Sequence, residues 1–291
     1  IMQLISVINV PFQCGCDREG GALAPKWLFY NGTEEFTDIV KWLSVPTQQE
    51  ECANTNGVRN HDKVVNICKE LRDYVVEYRT QGKRVLTIGG DHAIALGSIA
   101  GVLTVNPKVG VIWFDAHGDV NTEATSPSAN AHGMPLAALF GLCKSGLDSV
   151  ASVYLIPQNT FWIGARDLDP GEIEIIKQLG IADNVYSTER IHKMGMTAVM
   201  DDINKKMKLQ NVTATHLSFD IDGMDPNIVC ATGTKVDNGL LQRELDEFIE
   251  CMRNLPRMES MDFVEYNPLL DDENYTTGTW SIDILRRLIN H

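Results

Sequence analysis

Residues 109–134 read VGVIWFDAHGDVNTEATSPSANAHGM, and the reading of this stretch decides the fold. It opens on a short apolar run, residues 109–114, whose length and β-branched and aromatic content predict a buried strand rather than a helix. The run breaks into Asp115, His117 and Asp119. Alternation along an extended chain places residues i, i+2 and i+4 on one side, so two carboxylates and an imidazole leave the strand end together. A polar loop follows and closes on His132 in a His-Gly-Met turn. Carboxylate and imidazole donors grouped in this way suit a divalent cation. The plainer reading is a polar turn after a strand, in which a single Asp caps the next helix.

Two further stretches weigh against the plainer reading. Gly89-Gly90-Asp91-His92 follows a predicted strand at 84–88 and opens a helix at 93–103, which sets His92 at a strand's carboxyl end. Two glycines at such a turn allow close backbone approach. Asp220-Ile221-Asp222 leaves the end of a predicted strand at 213–219. His92, Asp115, His117, Asp119, Asp220 and Asp222 together offer two imidazoles and four carboxylates, with no thiolate. Such a set is enough for two divalent cations if some carboxylates bridge, and oxygen-rich ligation with some imidazole suits Mn²⁺, with Zn²⁺, Fe²⁺ and Co²⁺ as competitors. Paired cations about 3.5–4 Å apart that share a water do hydrolysis. Asp91, Asp167 and Asp225 are assigned to local turn hydrogen bonding.

The remaining chain alternates strand with helix. Further strands are predicted at 4–10, 41–45, 160–163 and 258–264. Further helices are predicted at 61–81, from 135 to 140, from 170 to about 179, at 188–207 as one or two, at 240–253 and at 277–290. Residues 46–56 read as a polar surface loop. This order predicts an α/β fold with a mostly parallel central sheet and helices on both faces, in which ligands bind outside the carboxyl ends of the strands. No repeat, low-complexity tract or composition shift marks a linker, so residues 1–291 are read as a single domain.

Composition narrows the class. The chain has 291 residues, is 44% hydrophobic and carries a formal net charge of -14. That balance, without a long Lys/Arg run, argues against nucleic acid as a partner. No apolar run approaches a membrane span, and the opening IMQLISVINVPF reads as a first strand rather than a signal peptide. Seven dispersed cysteines indicate a reducing compartment and a cytoplasmic location. Cys14-Gly15-Cys16 is the one close pair and reads as plain thiols, although sequence leaves open a disulfide to Cys52 or elsewhere.

Gly89-Gly90-Asp91-His92, Asp115-Ala116-His117-Gly118-Asp119 and Ser218-Phe219-Asp220-Ile221-Asp222 resemble the signatures of the arginase branch of the ureohydrolases, the binuclear manganese enzymes that include arginase and agmatinase. The resemblance runs over nearly the whole chain. It implies a three-layer α/β/α fold, two Mn²⁺ ions per chain, and assembly as a homotrimer or dimer of trimers. It gives His92, Asp115, Asp119 and Asp220 to the first ion, and His117, Asp115, Asp220 and Asp222 to the second. A bridging hydroxide would attack the guanidinium carbon of L-arginine and release urea and L-ornithine. Asp119 would orient the hydroxide, His132 would transfer a proton, and Glu265 would hold the guanidinium. Asn121, Ser128 and Asn130, with Ser126 beside them, would bind the α-carboxylate. Asp169 and Glu172 would lie near the α-amino group, and Thr234 in the pocket.

A loop built for an α-carboxylate favours arginine over agmatine, since a site made to hydrogen-bond a group rejects an analogue lacking it. The chain also departs from the pattern. Ala93 stands in place of serine, Glu123 of proline, Ala129 of glycine and Lys235 of proline, and Gly20-Gly21-Ala22-Leu23-Ala24-Pro25 is a degraded form of the early glycine motif. These departures motivate a second reading, a metal-binding scaffold that turns over arginine poorly or not at all. A third reading is another guanidino substrate, such as agmatine. Deacetylase-like enzymes share the architecture but use a single zinc.

Overall fold

The computed structural model describes residues 5–45 and 54–290. Strand β1 (Ile5–Val10) leads through a glycine-rich loop to α1 (Ala24–Asn31), then β2 (Thr37–Trp42). A two-stranded hairpin, β3 (Asn54–Thr55) and β4 (Val58–Arg59), precedes α2 (His61–Thr80), β5 (Val85–Gly89), α3 (Ala95–Val105) and β6 (Val109–Phe114). After the long loop come α4 (Pro135–Leu139), β7 (Thr160–Ile163), α5 (Pro170–Gln178), β8 (Val185–Tyr186), α6 (Thr188–Met194) and α7 (Met196–Leu209). The chain closes with β9 (Ala214–Asp220), α8 (Gln242–Met252), β10 (Met258–Val264) and α9 (Thr276–Ile289).

Eight strands form one sheet in the order β2-β1-β5-β10-β9-β6-β7-β8, and every pairing in it is parallel. Alternation sorts the side chains into two layers. Ile8, Val111, Trp113 and Trp162 pack with Val64 and Leu71 of α2, Ile99 of α3, Leu136 of α4 and Ile176 of α5. Ile5, Ile112, Phe114, Leu217 and Phe219 pack on the other face with Leu28 of α1, Ile191 of α6, Val199 of α7, Leu245 of α8 and Leu285 of α9. Fully burying each such side chain contributes about 1.5–3 kcal/mol. The expected three-layer α/β/α arrangement is therefore present.

Strands 109–114, 160–163 and 258–264 match their expected limits. The second strand does not. It was expected at 41–45 and lies at Thr37–Trp42, because its β-branched start pairs with β1 from Ile5↔Thr37 to Asn9↔Trp42. Strand β8 was not expected, since two residues are too few for a periodic pattern. The 188–207 segment divides into α6 and α7 at Gly195, whose φ is +82°. The loop expected at 46–56 lies mostly outside the described residues, as does Cys52. Among the described residues Cys16, Cys68, Cys143, Cys230 and Cys251 are free thiols, and no helix is long and apolar enough to cross a membrane.

The strand order decides where the site lies. β5, β10, β9, β6 and β7 are consecutive neighbours, about 4.8 Å apart. Their carboxyl ends carry His92, Glu265, the Asp220–Asp222 pair, the Asp115–Asp119 group and Arg166 respectively.

Candidate metal centre and pocket

The stretch that opened the sequence reading folds as the alternation requires. Asp115 is fully buried at the end of β6, and its Oδ1 accepts the His117 N–H at 2.7 Å. Asp119 follows at φ +49°, a left-handed conformation that costs about 1–2 kcal/mol for a residue with a Cβ. Trp162 donates its indole N–H to Gly118 O at 2.9 Å, which pins the turn between His117 and Asp119 from the next strand.

The six expected ligands converge. His92 Nδ1 lies 3.0 Å from Asp115 Oδ2, 3.1 Å from Asp119 Oδ2 and 3.2 Å from Asp220 Oδ2. His117 Nδ1 lies 3.3 Å from Asp115 Oδ1 and 3.2 Å from Asp222 Oδ2. Two groups that could hold a metal ion result, His92-Asp115-Asp119 and Asp115-His117-Asp222, with Asp115 common to both. Asp220 Oδ1 accepts the Asp222 N–H at 2.8 Å, which fixes the two carboxylates relative to each other.

The donor set fits a cation better than it fits an empty pocket. His92 Nδ1 and Asp115 Oδ2 are buried and face each other without a hydrogen bond of proper geometry. Burial opposes charge on both imidazoles. The three carboxylates around His92, and Asp222 and Asp115 beside His117, outweigh it and raise both well above the ordinary imidazole range. Burial and the neighbouring Asp115 push Asp119 up to about 6, and burial with Asp222 and Asp115 raises Asp220. Acidic groups crowded in this way hold protons until cations replace them.

His92 is fixed from behind by groups that the sequence reading passed over. Its ring stacks on Trp113 with centroids 4.1 Å apart. Its Nε2 lies 2.9 Å from Ser218 Oγ, and Ser218 in turn reaches Asp262 Oδ2, which also accepts from Ser98 Oγ at 2.7 Å and meets His216 Nε2 at 3.0 Å. A ligand imidazole that donates its second N–H outward presents the bare nitrogen to the metal. The alternation of polar His216 and Ser218 with apolar Leu217 and Phe219 was the available signal, and burial of a polar strand face requires such partners.

Above the ligands lies a cavity of about 200 Å³ lined by His92, His117, Asp119, Asp220, His132 and residues of three loops. Asn121, Ser126, Ser128, Asp169, Glu172 and Thr234 all reach it. Asn130 lines the adjoining mouth with His132, Thr234, Glu265, Cys16 and Arg18. Asp167 also lines the cavity, whereas it was expected to serve turn hydrogen bonding; Asp91 and Asp225 do serve it. Glu172 accepts Val120 N–H and Asp169 N–H, one on each oxygen, so its carboxylate also joins the loop after Asp119 to the start of α5. Asn121 Nδ2 donates to Asp169 Oδ2 at 2.8 Å.

Glu265 takes φ +65° at the end of β10 and accepts His92 N–H on Oε1 at 2.8 Å. His132 Nδ1 lies 3.8 Å from the same oxygen. Burial disfavours a charged His132, but Glu265 outweighs it and pushes its pKa up to about 9.

Glu123, Ala129 and the altered glycine loop, three of the departures from the family pattern, are bonded into place. Glu123 Oε1 accepts Lys144 N–H at 2.8 Å, and Arg59 N–H of β4 donates to Ala129 O at 2.9 Å. Asn267 Nδ2 donates to Glu19 O beside the altered glycine loop. Ala129 sits at φ +60°, where glycine is favoured. Ala129→Gly is expected to stabilise the protein by about 0.5–1 kcal/mol, the relief of strain less the extra unfolded-state entropy of glycine. A urea denaturation midpoint that falls instead would show that this position is unstrained.

Known proteins match this chain at both levels. The Arginase family model matches residues 3–290. An arginase of Brevibacillus brevis is 39% identical over 94% of this chain and 93% of its own length. An arginase of Entamoeba histolytica is 38% identical over 92% of each. The solved structure of the Entamoeba histolytica arginase in complex with L-ornithine superposes with a TM-score of 0.89 at 37% identity, covering 99% of both chains. The native Bacillus caldovelox arginase superposes with a TM-score of 0.91 at 34% identity, over 100% of this chain and 99% of that one.

Proposed function

The chain belongs to the arginase family, and from that premise we propose that it is a manganese-dependent hydrolase that converts L-arginine and water to L-ornithine and urea. The observation that carries the proposal is the pair of ligand groups joined through Asp115 beneath a cavity whose rim bears both carboxylates and amide or hydroxyl groups. Named arginases among its relatives support the substrate. Oxygen-rich donors with two imidazoles support Mn²⁺, and the two overlapping groups support two ions per chain. His92, Asp115, Asp119 and Asp220 would hold the first ion, and His117, Asp115, Asp220 and Asp222 the second. When bound, the ions supply a nucleophile by making a water acidic at neutral pH.

The chain's own residues do the rest. Asp119 turns an oxygen toward the ligand cluster and accepts a hydrogen bond from the attacking water. Glu265 pairs with the substrate guanidinium at the edge of the cluster, which sets the guanidinium carbon over it. His132, protonated at neutral pH beside Glu265, gives its proton to the departing ornithine amine. Asn121, Ser126, Ser128 and Asn130 receive the α-carboxylate, and Asp169, with Glu172 behind it, faces the α-amino group. Thr234 donates to Asp222 Oδ2 at 3.2 Å and closes the cavity on that side. The bonded state of Glu123 and Ala129 supports turnover over a silent scaffold. We further propose that residues 1–291 act as one unit, that it assembles as a homotrimer or dimer of trimers, and that it works in the cytoplasm.

The test is urea release from L-arginine and from agmatine by protein loaded with Mn²⁺. The expected result is about two ions per chain and urea from arginine, with kcat/KM for agmatine lower by about 10³-fold or more. Urea from agmatine alone would overturn the substrate. Two bound ions without urea from either would point to the silent scaffold.

A further inference from the structure

Arg166, in the loop after β7, has no part in the chemistry above. Its side chain is nonetheless among the most fully bonded in the molecule. Nη2 donates to Asp222 O at 2.8 Å, Val236 O at 2.7 Å and Met224 O at 3.2 Å. Nη1 reaches Gly223 O and Gly164 O, both at 3.1 Å, and Nε reaches Asp237 O at 3.2 Å. Among the described residues it makes no ion pair with a carboxylate. A guanidinium offers five N–H groups in one rigid plane, and here they all go to main-chain carbonyls.

Those carbonyls are not scattered. Three of them are consecutive and begin at Asp222 itself. Two belong to the loop that carries Thr234, immediately after Lys235. The main chain of the same residue reaches a third segment: Arg166 N–H and Asp167 N–H donate to Ala116 O at 2.8 and 3.0 Å. Ala116 lies between Asp115 and His117, and its N–H donates to Asp222 Oδ1 at 3.2 Å. One residue therefore joins both segments that supply His117 and Asp222. His92 and Asp119 are held by other means, through Trp113, Ser218 and Glu265 for His92 and through Leu136 N–H to Asp119 O at 3.0 Å.

We propose that Arg166 is a positioning residue that holds the His117–Asp222 half of the metal centre in register with the Thr234 loop, leaving the His92–Asp119 half to other supports. The need for it follows from the chain's own sequence. Asp222 and Asp115 repel each other across the cluster, and Lys235, where the family pattern has a proline, leaves the neighbouring loop without that backbone restraint. The Arg166 bonds to Val236 O and Asp237 O supply the restraint instead.

The inference rests on the two-ion reading of the site, and the experiment separates the two. Metal-free wild type, Arg166→Ala and Arg166→Lys are titrated with Mn²⁺ while free Mn²⁺ is followed by electron paramagnetic resonance, and thermal unfolding of each metal-free protein is recorded. Wild type is expected to bind two ions. Arg166→Ala is expected to keep one ion at wild-type affinity and to weaken the other at least tenfold. Arg166→Lys, with three N–H groups on one nitrogen, is expected to weaken the same ion by less. Unchanged binding of both ions in the alanine variant overturns the inference alone, and so does an equal weakening of both ions in step with a lowered unfolding midpoint, which marks a general structural role. If the alanine variant does not fold, the lysine variant decides in the same way. Fewer than two ions in wild type overturns the two-ion reading and the inference with it.

Discussion

Asp115→Asn is expected to remove stable metal binding and to lower urea formation from L-arginine by at least about 10³-fold. Asp115 is fully buried, is common to both three-residue groups that could hold a metal, and with Asp220 is proposed to serve both ions. Its Oδ2 faces His92 Nδ1 at 3.0 Å and its Oδ1 faces His117 Nδ1 at 3.3 Å. An amide of the same shape turns one of these oxygens into an N–H donor aimed at an imidazole nitrogen, and removes the negative charge that the two proposed cations would share. Burial alone would raise this carboxyl, yet the two imidazoles hold it well below the usual carboxylate range, so the protein already favours its charged form. Metal polarisation supplies several kcal/mol of transition-state stabilisation, and each 1.36 kcal/mol is tenfold in rate. The check is metal content by atomic emission with a parallel urea assay. The wild-type unfolding midpoint is also expected to rise with added Mn²⁺ by mass action, and that rise should vanish in the variant. A variant that retains both ions and a tenth of the activity would show that Asp115 is not a shared ligand.

How much of this was legible in the sequence follows from the range of each signal. The apolar run before Asp115 and the i, i+2, i+4 spacing after it are local, and strand β6 with its three ligand candidates emerged at its expected limits. The Glu265 assignment came from a resemblance. No local pattern says that β10 sits between β5 and β9, yet that order is what carries Glu265 to the backbone of His92, 173 positions away in sequence. The buried row of His216, Ser218 and Asp262 was only half legible for the same reason: the alternation on β9 marked His216 and Ser218, but their partner Asp262 lies on β10, and nothing local joins the two strands. Arg166 was hidden more deeply, since its partners are carbonyl groups that every residue carries. The misplaced second strand shows the converse. Residues 41–45 have strand-like composition, but hydrogen bonding to β1 begins at Thr37, and pairing outweighs propensity at a sheet edge.

Glu265→Gln is expected to leave two Mn²⁺ per chain bound while lowering kcat/KM for L-arginine by about 10²–10⁴-fold. The magnitude is that of breaking one buried charged pair, about 3–5 kcal/mol when the remaining charge is left uncompensated and less when an amide oxygen still accepts one bond. Glutamine keeps the shape at φ +65° and can still accept the His92 N–H through its amide oxygen, so the ligand imidazole stays supported. The substrate guanidinium proposed to pair with Glu265, by contrast, would lose its counter-charge. The same change acts on His132. Burial opposes its protonation, and Glu265, 3.8 Å away, is the largest of the groups that raise it to about 9. Without that carboxylate the folded-state pKa of His132 falls. A proton donor is lost as pH rises through its pKa, so the alkaline fall in kcat should begin at lower pH in the variant than in wild type. Two outcomes would separate the roles. Loss of metal in Glu265→Gln would make Glu265 a support for His92 rather than a substrate partner. A lowered kcat/KM with an unshifted alkaline limb would keep Glu265 at the guanidinium and remove His132 as the group whose proton that limb reports.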